Sequence, residues 1–416
     1  MYIGRAEGKR VTIQMVGVGP AGTGFLFAST KGSEFDSFAN AGLHLTEASC
    51  EIAVGSLPNY PNVPTNSQWG DFSSSLPPQV QEQLARSPIS QKLRGREGET
   101  VQIKHAVALQ REKGRILRGL VGGRLLTGVG ISALIERRRR GVVTYVTLDQ
   151  QGRAIAESDI ALLSTGAEEL LDPRLAVHGD RVVLSKDILG AHPGANVTRD
   201  LLADAKRVAV IGPSHSGALI VAAALNRPQV QVDLIHRGPL RVHSPSLEQA
   251  HRDRLPVDPT ELADDPQGIQ PNRFKGPRGL ARQILIPIIR GEEPRVSRHE
   301  GCFTEHPGVL DRADLIVQCT GLNWRAVPLF REGEARPIGF LTRQGKVLVN
   351  QDGNPHYSSG SKKNPEAAKQ VFIIGMGSVG IDSSVHTRDA VNFYEGSVGE
   401  ERVRSVARRL NRLNIT

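Results

Sequence analysis

The apolar positions change period within one short stretch, VTIQMVGVGPAGTGFLFAST at residues 11–30. Residues 11–16 form a compact apolar run of strand length, and residues 20–29 form an apolar segment of helical type. Between them lies a glycine-rich turn. A second strand is expected over AGLHLTEAS at 41–49, ending near Glu47 and closing a β-α-β unit. The same succession returns in RVAVIGPSHSGALIVAAALNRPQVQVDLIHRG at 207–238, with Gly17 and Gly212 lying 195 residues apart. Two more apolar runs end in glycine, DLIVQCTG at 314–321 and QVFIIGMGSVG at 370–380. Residues 97–120 and 141–167 read as short β-runs broken by turns, which predicts a small antiparallel insert and a return strand at 159–164. The C-terminal EERVRSVARRLNRLNIT places Val403, Val406, Ala407, Leu410 and Leu413 on one helical face, with arginines opposite. Residues 55–80, rich in Pro, Ser and Asn, read as a long loop of the kind that is more often functional or disordered than structural.

Composition narrows this picture. A chain of 416 residues exceeds one ordinary core and points to two or three domains. Its 44 glycines and 25 prolines imply many turns and exclude a coiled coil. The best candidate for a membrane span, residues 208–225, is interrupted by GPSHSG and falls short of the roughly 18 apolar residues required. The N-terminus lacks a secretory pattern. Cys50, Cys302 and Cys319 lie far apart with no CxxC pair, which fits a reducing cytosol and argues against a disulfide framework. The expected location is cytoplasmic. The net charge of +9 comes with only 4% aromatic residues, so it reads as a surface that draws anionic cofactors, with neither nucleic acid nor membrane as partner.

The two glycine turns carry the chemistry. In the first, Gly17 permits a tight turn out of the strand, Gly19 lets a pyrophosphate approach the backbone, and Gly22 lets the helix pack close. Pro20 and Ala21 open the helix, whose free N–H groups and positive dipole end suit a diphosphate. Glu47, at the end of the next strand, is placed to hold ribose hydroxyls. In the second turn Gly212, Ser214, Ser216 and Gly217 repeat the arrangement, and serine hydroxyls there can donate to phosphate. Its following strand ends in His236-Arg237 instead of an acid, which suits the 2′-phosphate of NADP. One acidic and one basic end suggest FAD first and NADPH second.

At this point the chain resembles the flavoproteins with two dinucleotide-binding domains. LLSTGA at 162–167, with Gly166, and VQCTG at 317–321, with Gly321, are similar to the ATG-type strand ends that link the two domains. VFIIGMGSVG at 371–380, with Gly375 and Gly377, is similar to the late segment that closes over the flavin. Within that superfamily GPSHSG and DRADLIVQCTGLNW (311–324) resemble the flavin-dependent monooxygenases, the N-hydroxylating type above all. The resemblance implies an α/β fold of two Rossmann-like dinucleotide-binding domains, for FAD and NADPH, the second inserted into the first. The expected division is 1–195 and 312–416 for FAD and 196–311 for NADPH. It implies a C4a-hydroperoxyflavin that oxygenates a small nucleophilic substrate, such as an amine, with O₂ as co-substrate, and a possible homo-oligomer.

The chain also departs from its relatives. It has no FxGxxxHxxxW or FxGxxxHxxxY fingerprint, and Met376 stands where many relatives have Asp, leaving Asp382 as a candidate for the ribityl chain. The absence of a redox cysteine pair disfavours disulfide reductases, and Cys50 is expected to be a buried, inert thiol. No catalytic residue is assigned. Trp69 is a candidate for stacking near flavin or substrate, or else a loop anchor. His215 is a candidate for touching NADPH, or else a solvent-facing loop residue. Arg137 to Arg140 read as a solvated hairpin end, and residues 251–271 are not expected to hold a metal. The alternative function is an NADPH-dependent flavin reductase without a redox disulfide.

Overall fold

A computed structural model describes residues 11–30, 38, 41–53, 57–74, 76–121, 125–190, 200–257, 271, 276–343, 345–358, 366–375, 378–380 and 397–415. The chain enters through β1 (Thr12–Val16), turns into α1 (Pro20–Ala28) and returns as β2 (Gly42–Glu47). Pro20 stands at the first helical position, where its missing N–H costs nothing and its fixed φ starts the helix. The proline-rich segment that follows contains more structure than a loop. Its β3 (Pro64–Gln68) pairs antiparallel with β4 (Thr100–Gln102).

Residues expected as β-runs form instead a long helix, α2 (Ile103–Val121). The buried positions Ala106, Val107, Leu109, Gln110, Lys113, Gly114, Leu117 and Val121 follow the helical period. Two of them are polar, which hid the stripe in the sequence. Beyond it come β5 (Leu125–Thr127), the meander β6 (Ile131–Arg139), β7 (Val142–Asp149) and β8 (Ala154–Ser158), and then the return strand β9 (Ile160–Leu163). Arg140 and Gly141, both at positive φ (51° and 79°), make the β6–β7 turn, so the arginine run does end a hairpin.

The remaining strands are β10 (Ala167–Glu168), β11 (Val182–Leu184) and β12 (Arg207–Ile211). Helix α3 (His215–Leu225) and β13 (Gln231–His236) complete the second β-α-β unit. Then follow α4 (Gly279–Arg290), β14 (Val296–Glu300), β15 (Leu315–Gln318) and β16 (Asn323–Trp324). The chain closes through β17 (Leu329–Arg331), β18 (Pro337–Ile338), β19 (Thr342–Arg343), β20 (Lys346–Val349), β21 (Val371–Ile373), β22 (Ser378–Gly380) and α5 (Ser397–Ile415).

Two parallel five-stranded sheets dominate, ordered β21-β9-β1-β2-β5 and β11-β15-β12-β13-β14. Parallel strands covered on both faces read as continuous apolar runs, as in Val208 to Ile211 and Leu315 to Val317, all buried. In each sheet the chain leaves the central strand, β1 or β12, to one side and later returns on the other. The gap between β1 and β9, and that between β12 and β15, are therefore switch points, where such sheets bind ligands. The second sheet draws on residues 182–318, wider at both ends than the expected 196–311: Val182–Leu184 and Leu315–Gln318 belong to it and not to the first sheet. A third sheet, β18-β17-β6-β7-β8, is antiparallel except where β17 runs parallel to β6.

Helix α5 buries Val403, Val406, Ala407 and Leu410 in the first core, with Leu413 partly buried beside them. Arg402 departs from the expected arginine face: it is buried and donates to the Gln351 carbonyl at 2.7 Å. No helix among the described residues is long and apolar enough to cross a membrane.

Lys113 of α2 is wholly buried and donates from Nζ to the Phe72 carbonyl. Burial brings its pKa from 10.5 down to about 7. Between these values the unfolded chain holds a proton that the folded chain does not, so stability rises with pH across this window and is lowest below it. Lys113→Met removes the dependence. In urea melts its stability relative to the parent is expected to fall from pH 7 to pH 10, by on the order of 1.4 kcal/mol per pH unit crossed. A difference that stays flat over that window would mean that folded Lys113 keeps its proton as the unfolded chain does.

Candidate active site

Both switch points are built to one plan. Gly17 has φ +91° and Gly212 has φ +105°. A Cβ at Gly17 would meet the Ser164 backbone, with the carbonyl carbon at 2.8 Å, and one at Gly212 would meet the Cys319 carbonyl oxygen at 2.5 Å. Five residues on, a Cβ at Gly22 would lie 2.6 Å from the Gly17 oxygen, and one at Gly217 would overlap the Gly212 oxygen. Each turn is thus wedged between its own helix and the end of the returning strand, β9 or β15. Beyond that wedge Gly166 (φ +77°) and Gly321 (φ +95°) face open space. Neither α1 nor α3 has its first N–H groups capped by a side chain, which leaves donors and a positive dipole end at each turn.

The edges of the two turns differ. Glu47 ends β2, and its carboxylate is drawn into the first turn. Val18 N–H donates to Oε2 at 2.5 Å and Ser49 N–H to Oε1 at 3.1 Å. A carboxylate oxygen has two acceptor positions, so each oxygen retains one. Ser164 beneath the turn donates to the Gly17 carbonyl, a contact that the sequence reading did not foresee. Gly375, with φ +104°, stands against Ala21, where its own Cβ would lie 3.1 Å from that of Ala21. Gly377, Met376 and Asp382 lie outside the described residues, as does most of the 251–271 stretch.

The second turn opens on a cavity of about 230 Å³ lined by Gly212, Pro213, Ser214, His236, Arg237 and Gly321, among others. The Ser214 hydroxyl donates to the Cys319 carbonyl at 3.3 Å, and Ser216 lies in the first turn of α3. Arg237 is exposed at the rim. His236 is buried, with Nδ1 2.7 Å from the Gly238 carbonyl, and burial lowers its pKa. Gly301 and Phe303 also line the cavity. They were missed, although the run VSRHEG ends in glycine after a strand, as the recognised segments do.

The segments that leave the two Thr-Gly ends meet each other. β10 pairs antiparallel with β16, Ala167 opposite Trp324 and Glu168 opposite Asn323. The Thr165 hydroxyl donates to the Arg325 carbonyl at 2.6 Å, and Arg325 N–H donates to the Gly166 carbonyl at 3.1 Å.

Two expectations are corrected, and Trp69 takes the second of its two readings. His215 is no solvent-facing loop residue and does not line the cavity. Its Nε2 lies 3.0 Å from the Pro64 carbonyl, tying α3 to β3, and burial lowers its pKa. Trp69 is buried in the first core, tilted against Phe72 with ring centroids 6.2 Å apart, so it is an anchor. Cys50 is exposed, because it follows β2 by three residues and falls in a surface turn.

The fold that carries these turns is similar to that of several solved monooxygenases. No protein-family model matches the chain, and no curated protein matches it in sequence. The fold is similar to that of L-lysine 6-monooxygenase from Pseudomonas syringae, at 14% identity and a TM-score of 0.54, covering 96% of this chain and 99% of that one. It is similar to a flavin-containing monooxygenase from Stenotrophomonas maltophilia, at 16% identity and TM-score 0.57, with 96% and 99% covered. It is similar as well to an ornithine N-hydroxylase from Kutzneria sp. 744, whose structure is described with reduced FAD, NADP⁺ and L-ornithine, at 14% identity and TM-score 0.55, with 96% and 100% covered.

Proposed function

We propose that this chain is a flavin- and NADPH-dependent monooxygenase that oxygenates a small nucleophilic amine. The observation that carries the reading is the duplicated, wedged glycine turn with unlike edges, an acid at the first and an arginine at the second. In this reading the first sheet holds FAD. Gly17, Gly19, Pro20, Ala21 and Gly22 meet the pyrophosphate through the backbone, Glu47 meets ribose hydroxyls with its remaining acceptor positions, and Gly166 and Gly375 border the cofactor. The second sheet, as a unit inserted into the first, holds NADPH, with Gly212, Ser214, Ser216, Gly217 and Gly321 at the phosphates and Arg237 at the 2′-phosphate. The open space at Gly166 and Gly321 and the cavity at the second turn fit such groups. Bound flavin supplies the redox and oxygen chemistry, so the protein has to bind, orient and exclude water. The amine as substrate class rests on the lysine and ornithine enzymes of like fold.

The decisive experiment reduces the FAD-loaded protein with NADPH under argon and mixes it with aerated buffer containing lysine, ornithine or cadaverine. A monooxygenase returns to the oxidised spectrum in two separated steps and leaves a hydroxylated amine. A single-step return with stoichiometric hydrogen peroxide and rapid reduction of dyes or quinones establishes a flavin reductase instead.

A further inference from the structure

The chain crosses from the first sheet to the second through residues 164–181 and leaves the second through residues 319–328. Close to the first sheet these two stretches are fastened by the β10–β16 ladder and by the contacts of Thr165 and Gly166 with Arg325. Close to the second sheet they are fastened by the side-chain amide of Gln318. That residue ends β15 after the apolar Leu315, Ile316 and Val317, yet only 3% of it is exposed. Its Oε1 accepts the Asp172 N–H at 2.8 Å, and its Nε2 donates to the Leu170 carbonyl and to the Thr320 hydroxyl, both at 2.9 Å.

The amide thus takes a carbonyl and, two residues on, an N–H, as a neighbouring strand would. Apolar burial does little to hold the outgoing stretch, since Leu170 and Leu171 are 49% and 43% exposed. Glu169 anchors that stretch to the Ser185 hydroxyl and the Lys186 N–H, and Gln318 then ties it to the returning one. Thr320 and the adjacent Gly321 line the second cavity, so the tie reaches its wall. Any swing of one sheet against the other would have to slide 170–172 along 318–320, and this buried amide resists it. Resting on the two-cofactor reading above, we propose that Gln318 is a positioning residue that locks the two connecting stretches together. It thereby sets the angle at which the nicotinamide unit meets the flavin unit. Hydride transfer between cofactors tolerates little misplacement, so the effect falls on rate and not on affinity.

Gln318→Met keeps the length of the side chain and removes its three hydrogen bonds. Anaerobic flavin reduction at saturating NADPH is expected to slow on the order of tenfold to a hundredfold. The affinities for FAD and NADP⁺ should stay within about twofold of the parent values. A second readout needs no nucleotide. Nitroxide labels are placed on the exposed Cys50 and on Val177→Cys, in a chain that also carries Cys302→Ser. Val177 is exposed, and its neighbour Leu175 is buried in the core beside the second sheet. Pulsed electron paramagnetic resonance should give one narrow distance peak for this chain and a peak about twice as broad once Gln318→Met is added. The proposal is overturned if the variant reduces flavin at the parent rate, if rate and NADP⁺ affinity fall together, or if the distance distribution is unchanged. Should Gln318→Met fail to fold, Gln318→Glu decides by the same measures, because it keeps the acceptor for the Asp172 N–H and loses the donors. If NADPH does not reduce the FAD-loaded parent at all, the two-cofactor reading fails, and the distance distribution alone decides whether Gln318 fixes the angle.

Discussion

Gly217→Ala is expected to abolish pyridine-nucleotide binding while leaving FAD content intact. The added methyl group would overlap the Gly212 carbonyl oxygen and lie 3.0 Å from its carbon. Those are backbone atoms of the same turn and cannot rotate away. Relief requires α3 to withdraw from β12, which pulls its uncapped N–H groups off the phosphate position. The shift also disturbs a tightly packed core, because Ala218, Ile220 and Val221 are wholly buried. The affinity for NADP⁺ should fall on the order of a hundredfold or more, with a stability loss of about 2–4 kcal/mol. Fluorescence titration and urea unfolding measure the two effects. Unchanged NADP⁺ affinity would remove the second turn from the nucleotide site.

The mirror experiment is Gly17→Ala. Alanine at φ +91° is strained by about 1–3 kcal/mol, and its Cβ would press into the Ser164 backbone. The turn must then swing away from β9, and Val18 N–H leaves the Glu47 carboxylate. The variant should purify colourless and bind added FAD on the order of a hundredfold more weakly, while its NADP⁺ affinity stays near that of the parent. The pair of variants distinguishes two sites of separate duty from one shared site. If Gly17→Ala keeps its yellow colour and Gly217→Ala loses it, the order of the cofactors is reversed.

What could be read from sequence was what the backbone decides. Gly17, Gly22, Gly212 and Gly217 are dictated by steric closeness, and the strands beside them are mainly apolar and buried. Helix α2 was illegible for the opposite reason. Val101, Ile103 and Val107 suggest a strand, and the buried Gln110 and Lys113 break the apolar stripe that would have revealed a helix. Side-chain directions were not legible either. Whether His215 turns to a cofactor or to the Pro64 carbonyl, and whether Trp69 meets a flavin or Phe72, depends on segments far away in the chain. The extent of the second sheet was not legible because β11 and β15 pair across 130 intervening residues (185–314), a separation that local pattern does not encode.

The pairing of β10 with β16 brings the chain back to within a ladder spacing of where it departed, after the whole second sheet has been made. All five strands of that sheet lie between residues 182 and 318, whereas the first sheet waits for Val371–Ile373 and the helix at 397–415 that covers it. During synthesis the second sheet is therefore complete in sequence while the first still lacks an outer strand. The sheet that begins first along the chain is thus the one completed last. The β10–β16 pairing leaves only a short gap to close when the first sheet is finished, which adds little entropy cost.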